Sequence, residues 1–338
     1  MLFVHIGTHK TGTSALQSAL THHADNLLEN GVRYIKAGRE GAHAHHKLAQ
    51  SVRGKKGIPL SSWAPVRAEL DASTSPVNLL SSEGFSFAPA EGVRKELGSR
   101  TDVRIVLYLR RQDKYLQSLY KQGVAGGRTP DFDAWLERHA SRGDYLALVS
   151  QWAEHFGRDA IVLRPYERNG KTIDLVEDFM GVLGCDSAKV MPRRKPGAMR
   201  NPSPRRELME LWRAFNQTGT TVDREKLFFS IMKGKPEYAR SADLLDFDGC
   251  RNLVARYADA NRELIETYYR DSEVPLFPEL VRGTSPDFWQ PGQPEYFNML
   301  VDVMSAVVKT VSGAPAAGEQ KRQGRKKPSK KRRRDTDA

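Results

Sequence analysis

The sequence predicts an α/β fold: a parallel β-sheet flanked by helices, phosphate-loop nucleotide-binding-like, with a mostly helical C-terminal part. Three observations carry this. Short apolar runs alternate with helix-length amphipathic stretches through the first half of the chain. The first run leads through a glycine loop into a helix start, and from about residue 204 onward only helical spacing remains.

Taken in order, residues 2–6 (Leu-Phe-Val-His-Ile) read as a buried strand, and residues 12–28 as one helix with Ala15, Leu16, Ala19, Leu20 and Leu27 on its inner face. Residues 32–35 give a short second strand. Helical material starts at Leu48 and again over 63–70, then 76–80 form a third strand ending in Ser81, Ser82 and Glu83. The clearest strand is 103–109, followed by a helix over 114–122. Residues 158–163 form a fifth strand, and the helix after it stops at Gly184, where glycine serves as the cap. Beyond Pro204 the apolar positions Leu208, Leu211, Trp212, Phe215, Leu253, Tyr257 and Leu264 keep helical spacing, Ser203 is placed to cap the first of these helices, and 296–311 form a last amphipathic helix.

The loop after the first strand is Gly7-Thr8-His9-Lys10-Thr11-Gly12-Thr13-Ser14. The first N–H groups of a helix have no intrahelical partner and sit at the positive end of its dipole, so strand, glycine loop and helix start together cradle an anion. Gly7 and Gly12 keep the spacing of the nucleotide-hydrolase loop, but Thr13 stands where that loop has lysine, and the cation is Lys10, inside the loop. This displacement argues against an ordinary Mg-ATP machine. In an open parallel sheet ligands bind beyond the carboxyl ends of the strands. The fourth strand ends in Arg110-Arg111, with Ser118 eight residues beyond Arg110 on the next helix. An arginine and a hydroxyl so placed suit a second anion, hence a bisphosphorylated ligand.

The chain has 338 residues, 39% of them hydrophobic, enough for a large core. Its two cysteines, Cys185 and Cys250, make no disulfide framework and no zinc spacing, so a reducing compartment is expected, and with neither signal peptide nor apolar span the expected location is cytoplasmic. The net charge is +12, and residues 319–338 hold +7 of it, with ten Lys/Arg against Glu319, Asp335 and Asp337. That segment follows a small-residue linker and has no large apolar residue. It reads as a disordered basic tail able to meet RNA, another polyanion or an anionic membrane, or simply to keep the protein in solution. The expected organisation is one domain over 1–312, comprising a nucleotide-binding core (1–185) and a helical part (186–312), followed by the tail over 313–338.

Lys10-Thr11-Gly12-Thr13-Ser14, together with Tyr108-Leu109-Arg110 and Ser118, resembles the sulfotransferases that use 3′-phosphoadenosine 5′-phosphosulfate. In that family a Lys-x-Gly-Thr-Thr loop binds the 5′-phosphosulfate and a strand followed by Arg-Asn-Pro-x5-Ser binds the 3′-phosphate; here Arg111-Gln112 replace Asn-Pro. The opening nine residues from His5, and Leu163-Arg164-Pro165-Tyr166-Glu167 with Asp178-Phe179, are similar to bacterial members that act on carbohydrates or lipids. The resemblance implies in-line transfer of a sulfuryl group to a hydroxyl or amine of a carbohydrate, lipid or other small acceptor, with no metal required. It implies that Lys10 neutralises charge on the leaving phosphate, that Thr11, Gly12, Thr13 and Ser14 hold the 5′-phosphate, and that Arg110 and Ser118 select the 3′-phosphate. The family's base is histidine or glutamate. Glu83 is the first candidate, with a pKa that burial would have to raise, and His45 and His46 are its rivals. The aromatic residues Trp63, Tyr115, Tyr120, Trp135 and Trp289 are available either for stacking on a sugar or for the core. Arg200-Asn201-Pro202-Ser203 is a candidate lid. Two other functions remain open: a small-molecule kinase using Mg-ATP, and a nucleic-acid or polyanion binder working through the basic tail.

Overall fold

The strands are β1 (Leu2–Gly7), β2 (Val32–Tyr34), β3 (Val77–Ser81), β4 (Val103–Leu109) and β5 (Ile161–Pro165). In this computed structural model, which describes residues 1–39, 43–168, 171–191, 203–219, 223–239, 243–282, 289 and 291–312, they form one parallel sheet in the order β2-β3-β1-β4-β5. β1 is central and buried along its whole length, which is why it reads as an unbroken apolar run rather than an alternating one. The chain leaves β1 for one edge, returns through β3, and then crosses to β4 on the other side. The loop after β1 therefore emerges where the connections diverge, the place at which such sheets bind ligands.

Helices flank the sheet as expected. The stretch expected to be one helix is two, Thr13–His22 and Ala24–Glu29, because the chain turns at His23. Leu16, Leu20 and Leu27 from this pair are fully buried with Phe3, Val32, Leu79, Val106 and Phe179. At roughly 1.5–3 kcal/mol for each large apolar side chain removed from water, this packing anchors the start of the first helix under the loop. The fifth strand begins at Ile161, after a short 3-10 turn over Arg158–Ala160. Trp63, Tyr115, Tyr120 and Trp135 are almost wholly buried, so they build the core and are not exposed stacking platforms.

The chain forms two compact units. The first comprises Met1–Val124, Pro130–Asn201 and Asp243–Pro286, and the second comprises Ala125–Thr129, Pro202–Ala242 and Asp287–Ala338. The second unit holds the helices Arg206–Gln217, Arg224–Gly234 and Pro294–Ser312, with Trp212 stacked on Phe228 at 4.6 Å. Its first helix starts at Arg206 behind Arg205 without a side-chain cap, so Ser203 does not cap it. Trp289 lies 3.9 Å from the Arg205 guanidinium. Arg200, Asn201 and Pro202 of the candidate lid and the tail over 313–338 lie outside the described residues.

Candidate active site

The loop is stitched to β4 before it turns. Thr8 N–H and Thr8 Oγ1 both donate to the Tyr108 carbonyl at 3.1 Å, and Thr11 Oγ1 donates to the Thr8 carbonyl at 2.6 Å. The Thr11 hydroxyl thus shapes the loop, leaving its N–H as the group it can offer a ligand. Gly12 takes a left-handed conformation (φ 77°) at the helix start, and a Cβ there would meet Leu175 at 3.1 Å. Gly7 (φ 107°) is needed for a closer contact, since a Cβ on it would lie 3.0 Å from the Glu83 Cβ. Lys10 is the one non-glycine among the described residues with positive φ, at 62°. It is half-buried, and both burial and the nearby Arg110 guanidinium lower its pKa. Among the described residues Lys10 has no carboxylate partner, and the neighbouring Arg110, whose own carboxylate contact is Glu167 at 3.5 Å, adds to the cost of its charge. Thr13 is buried and Ser14 exposed, both at the first helical positions.

Glu83 lies at the end of β3, beside β1. The register pairs His5 with Ser81, and His5 Nδ1 hydrogen-bonds the Ser81 hydroxyl at 2.8 Å. Gln17, one turn into the first helix, donates through Nε2 to Glu83 Oε2 at 2.9 Å and reaches Ser81 Oγ at 3.4 Å. His46 Nδ1 stands 2.9 Å from the Ser82 hydroxyl and 4.0 Å from Glu83 Oε2. The expected upward shift of the Glu83 pKa is not found. Burial does raise it, but the Gln17 amide, Glu83's own backbone N–H, and the His46 and His9 rings outweigh burial and leave it below the ordinary value. The site therefore holds an ionised carboxylate at neutral pH.

His45 and His46 are adjacent in sequence but do different things. His45 is fully buried. Its Nε2 is 2.9 Å from the Ile35 carbonyl, so it carries the proton, and its Nδ1 accepts from Ser81 N–H at 3.1 Å. Burial pushes its pKa down to about 3. It is a neutral strut joining the segment after β2 to β3, with no nitrogen left for an acceptor. His46 starts the helix His46–Val52 and is the histidine that faces Glu83.

Arg110 is fixed through its backbone, whose carbonyl accepts from Tyr145 O–H at 2.7 Å. Its guanidinium is held loosely, with Nε 3.5 Å from Glu167 Oε1 without hydrogen-bond geometry and the Tyr166 ring 5.3 Å away. Arg111 is buried and locked by Asp113 at 2.8 and 2.9 Å and by the carbonyls of Pro278 and Glu279. Ser118 sits on the helix Gln112–Ala125, on the same face as Lys114 and Lys121 at i−4 and i+3. No hydrogen bond joins Ser118 to Arg110 among the described residues. Lys121, one turn on, is buried, its pKa pushed down to about 8 by burial, with Asp243 opposing and Lys114 and Arg110 adding to the fall. Lys114 pairs with Asp243 at 2.6 Å.

Sequence reasoning missed Gln17, His5 and His9. His9 Nδ1 is buried without a hydrogen-bond partner among the described residues, its ring lies 4.7 Å from Phe87, and burial brings its pKa to about 4 against the pull of Glu83. Gln17 falls four residues after Thr13, on the same helix face, which is the spacing that could have singled it out.

No family model matches the chain. Over 95 residues it is 37% identical to an uncharacterized protein of Archaeoglobus fulgidus, a match covering 28% of this chain and 25% of that protein. The chain thus spans about a quarter of that relative's length. The crystal structure of a sulfotransferase from Alicyclobacillus acidocaldarius is similar over 68% of this chain and 95% of that one, with 17% sequence identity and a TM-score of 0.39. No helix among the described residues is long and apolar enough to cross a membrane.

Proposed function

We propose that this chain transfers a sulfuryl group from 3′-phosphoadenosine 5′-phosphosulfate to a hydroxyl or amine of a carbohydrate, lipid or other small acceptor. The observation that carries the reading is Lys10: a half-buried cation in a left-handed loop position, without a carboxylate partner among the described residues and close enough to Arg110 for the two to repel. Such a pair is satisfied by a ligand bearing anions at two points.

The residues present fit that donor. The N–H groups of Thr11, Gly12, Thr13 and Ser14 and the hydroxyls of Thr13 and Ser14 would hold the 5′-phosphate at the helix start. Arg110, whose Nε is buried without a hydrogen bond among the described residues, would with Ser118 hold the 3′-phosphate. The donor supplies the activated sulfuryl group. Lys10 then neutralises charge as it develops on the leaving phosphate oxygen, a kind of stabilisation worth 10²–10³-fold in rate as an order of magnitude. Glu83, ionised and presented by Gln17, accepts the proton of the attacking hydroxyl, with His46 beside it.

The test is to incubate the chain with the phosphosulfate donor and a panel of sugar and lipid alcohols, following release of 3′-phosphoadenosine 5′-phosphate. Acceptor-dependent release that Lys10→Met abolishes supports the reading. Turnover with Mg-ATP, and none with the phosphosulfate, would instead make this a kinase.

A further inference from the structure

Four of the eight exposed large apolar side chains among the described residues lie on one helix, Pro294–Ser312: Phe297, Val301, Met304 and Val308, exposed by 64, 45, 67 and 65%. At 100° per residue these positions fall within an arc of about 60°, so they form one continuous stripe. The helix is anchored in its unit from other sides. Met299 and Val303 are buried, and Asp302 accepts from Tyr238 O–H at 2.6 Å and pairs with Lys235 at 3.2 Å. A stripe this regular on a fixed helix is a docking surface.

We infer that the stripe, together with the basic residues that follow it in sequence, docks the protein onto an anionic lipid surface. Charge is what selects this occupant. The sequence runs from the helix into residues 319–338, with ten Lys/Arg against three acidic residues. Residues 313–338 contain no aromatic residue and no Leu, Ile, Val or Met, so they have nothing with which to cover the stripe themselves. A second copy docked stripe to stripe would bring two segments of the same +7 charge together. An anionic bilayer accepts both features at once: apolar side chains enter the boundary between headgroups and acyl chains, and the lysines and arginines meet the surface charge. Either signal alone binds weakly, so stable attachment takes the pair. The inference does not depend on the sulfuryl-transfer reading.

The test is flotation of the full chain with vesicles of phosphatidylcholine alone or mixed with phosphatidylserine, beside Met304→Glu and a Phe297→Trp reporter. Both substitutions are at exposed positions, and thermal melting checks that they fold. Expected are binding to the anionic vesicles only, weakened by salt, a partition coefficient lower by roughly tenfold or more in Met304→Glu, and, on adding those vesicles, a blue shift in the emission of the Phe297→Trp variant beyond that of the wild type. Three results would overturn the proposal: no binding to anionic vesicles, binding unchanged by Met304→Glu with no blue shift, so that the basic residues act alone, or a concentration-dependent dimer that Met304→Glu dissolves.

Discussion

The Gln17 amide donates to Glu83 Oε2 at 2.9 Å, tying the helix that follows the β1 loop to the carboxylate at the end of β3. The same amide reaches Ser81 Oγ, which hydrogen-bonds His5 in the central strand, so the carboxylate is oriented by three elements together. Gln17→Leu removes the largest of the influences holding the Glu83 pKa down, so that pKa rises. The expected outcome is an acid limb of kcat displaced to higher pH, with KM for the donor little changed. Loss of a hydrogen bond to a charged, mostly buried group should also cost about 1.5–3 kcal/mol in denaturant unfolding.

The acid limb in the wild-type protein separates the two candidate bases. Glu83 has a folded pKa below the ordinary 4.5, so a rate that depends on its ionised form stays level down to about that pH. A limb well above the carboxylate range would remove Glu83 from the role. The carboxylate's linkage to folding has the matching sign: its stabilising contribution is present above its unfolded pKa and is lost as pH falls through the lower folded one.

Acid also acts through the buried imidazoles. His5, His9 and His45 have folded pKa values near 4, 4 and 3, against 6.5 when unfolded. Below about pH 6.5 the unfolded chain takes up protons that the folded one refuses, so unfolding free energy falls steadily towards pH 4. Melting temperature measured from about pH 7.5 to about pH 4.5 should drop. His45→Gln, which loses the strut between Ile35 and Ser81, should start about 2–4 kcal/mol less stable and show a shallower slope.

Much of the sheet is legible in the sequence because β1 and β4 are buried runs rich in β-branched and aromatic residues, and β3 is a short buried run around Leu79 and Leu80. β5 starts later than its sequence suggests, because nothing in Arg158-Asp159-Ala160 distinguishes a strand start from a 3-10 turn. The break at His23 is invisible since the apolar period continues through it to Leu27. Lys10, Arg110 and Glu83 are legible from their places at strand ends. The opposite fates of His45 and His46 are not, because burial of one ring depends on two carbonyl and amide partners 10 and 36 residues away. The direction of the Glu83 shift is hidden for a similar reason. Burial alone would raise its pKa, whereas the deciding donor comes from Gln17, 66 residues earlier.

Asp178, on the helix Leu175–Val182, ties β4 to β5. Its Oδ1 accepts from Tyr108 O–H at 2.7 Å and from Arg164 Nε at 2.9 Å, with Arg164 Nη2 on Oδ2. Asp178→Ala strands a mostly buried tyrosine hydroxyl and a guanidinium, and should cost about 2–4 kcal/mol by chemical denaturation. Tyr108→Phe, which leaves the ion pair intact, should cost about 1 kcal/mol.

Lys10 carries a backbone penalty that glycine would not. A left-handed non-glycine residue costs roughly 1–2 kcal/mol, and the side chain is also partly desolvated beside Arg110. Lys10→Gly should therefore melt at the same temperature or higher while losing transfer activity by 10²-fold or more as an order of magnitude. Destabilisation with activity retained would remove Lys10 from the chemistry.

The most direct measurement is thermal unfolding with 3′-phosphoadenosine 5′-phosphate, ADP and ATP, with and without Mg²⁺, in the wild type and Arg110→Ala. Ligand at a hundred times its dissociation constant adds about 2.7 kcal/mol to stability, a readily measured shift. The account predicts stabilisation by the bisphosphate without metal, weakened in Arg110→Ala. Stabilisation by Mg-ATP alone, or by none of these nucleotides, would contradict it.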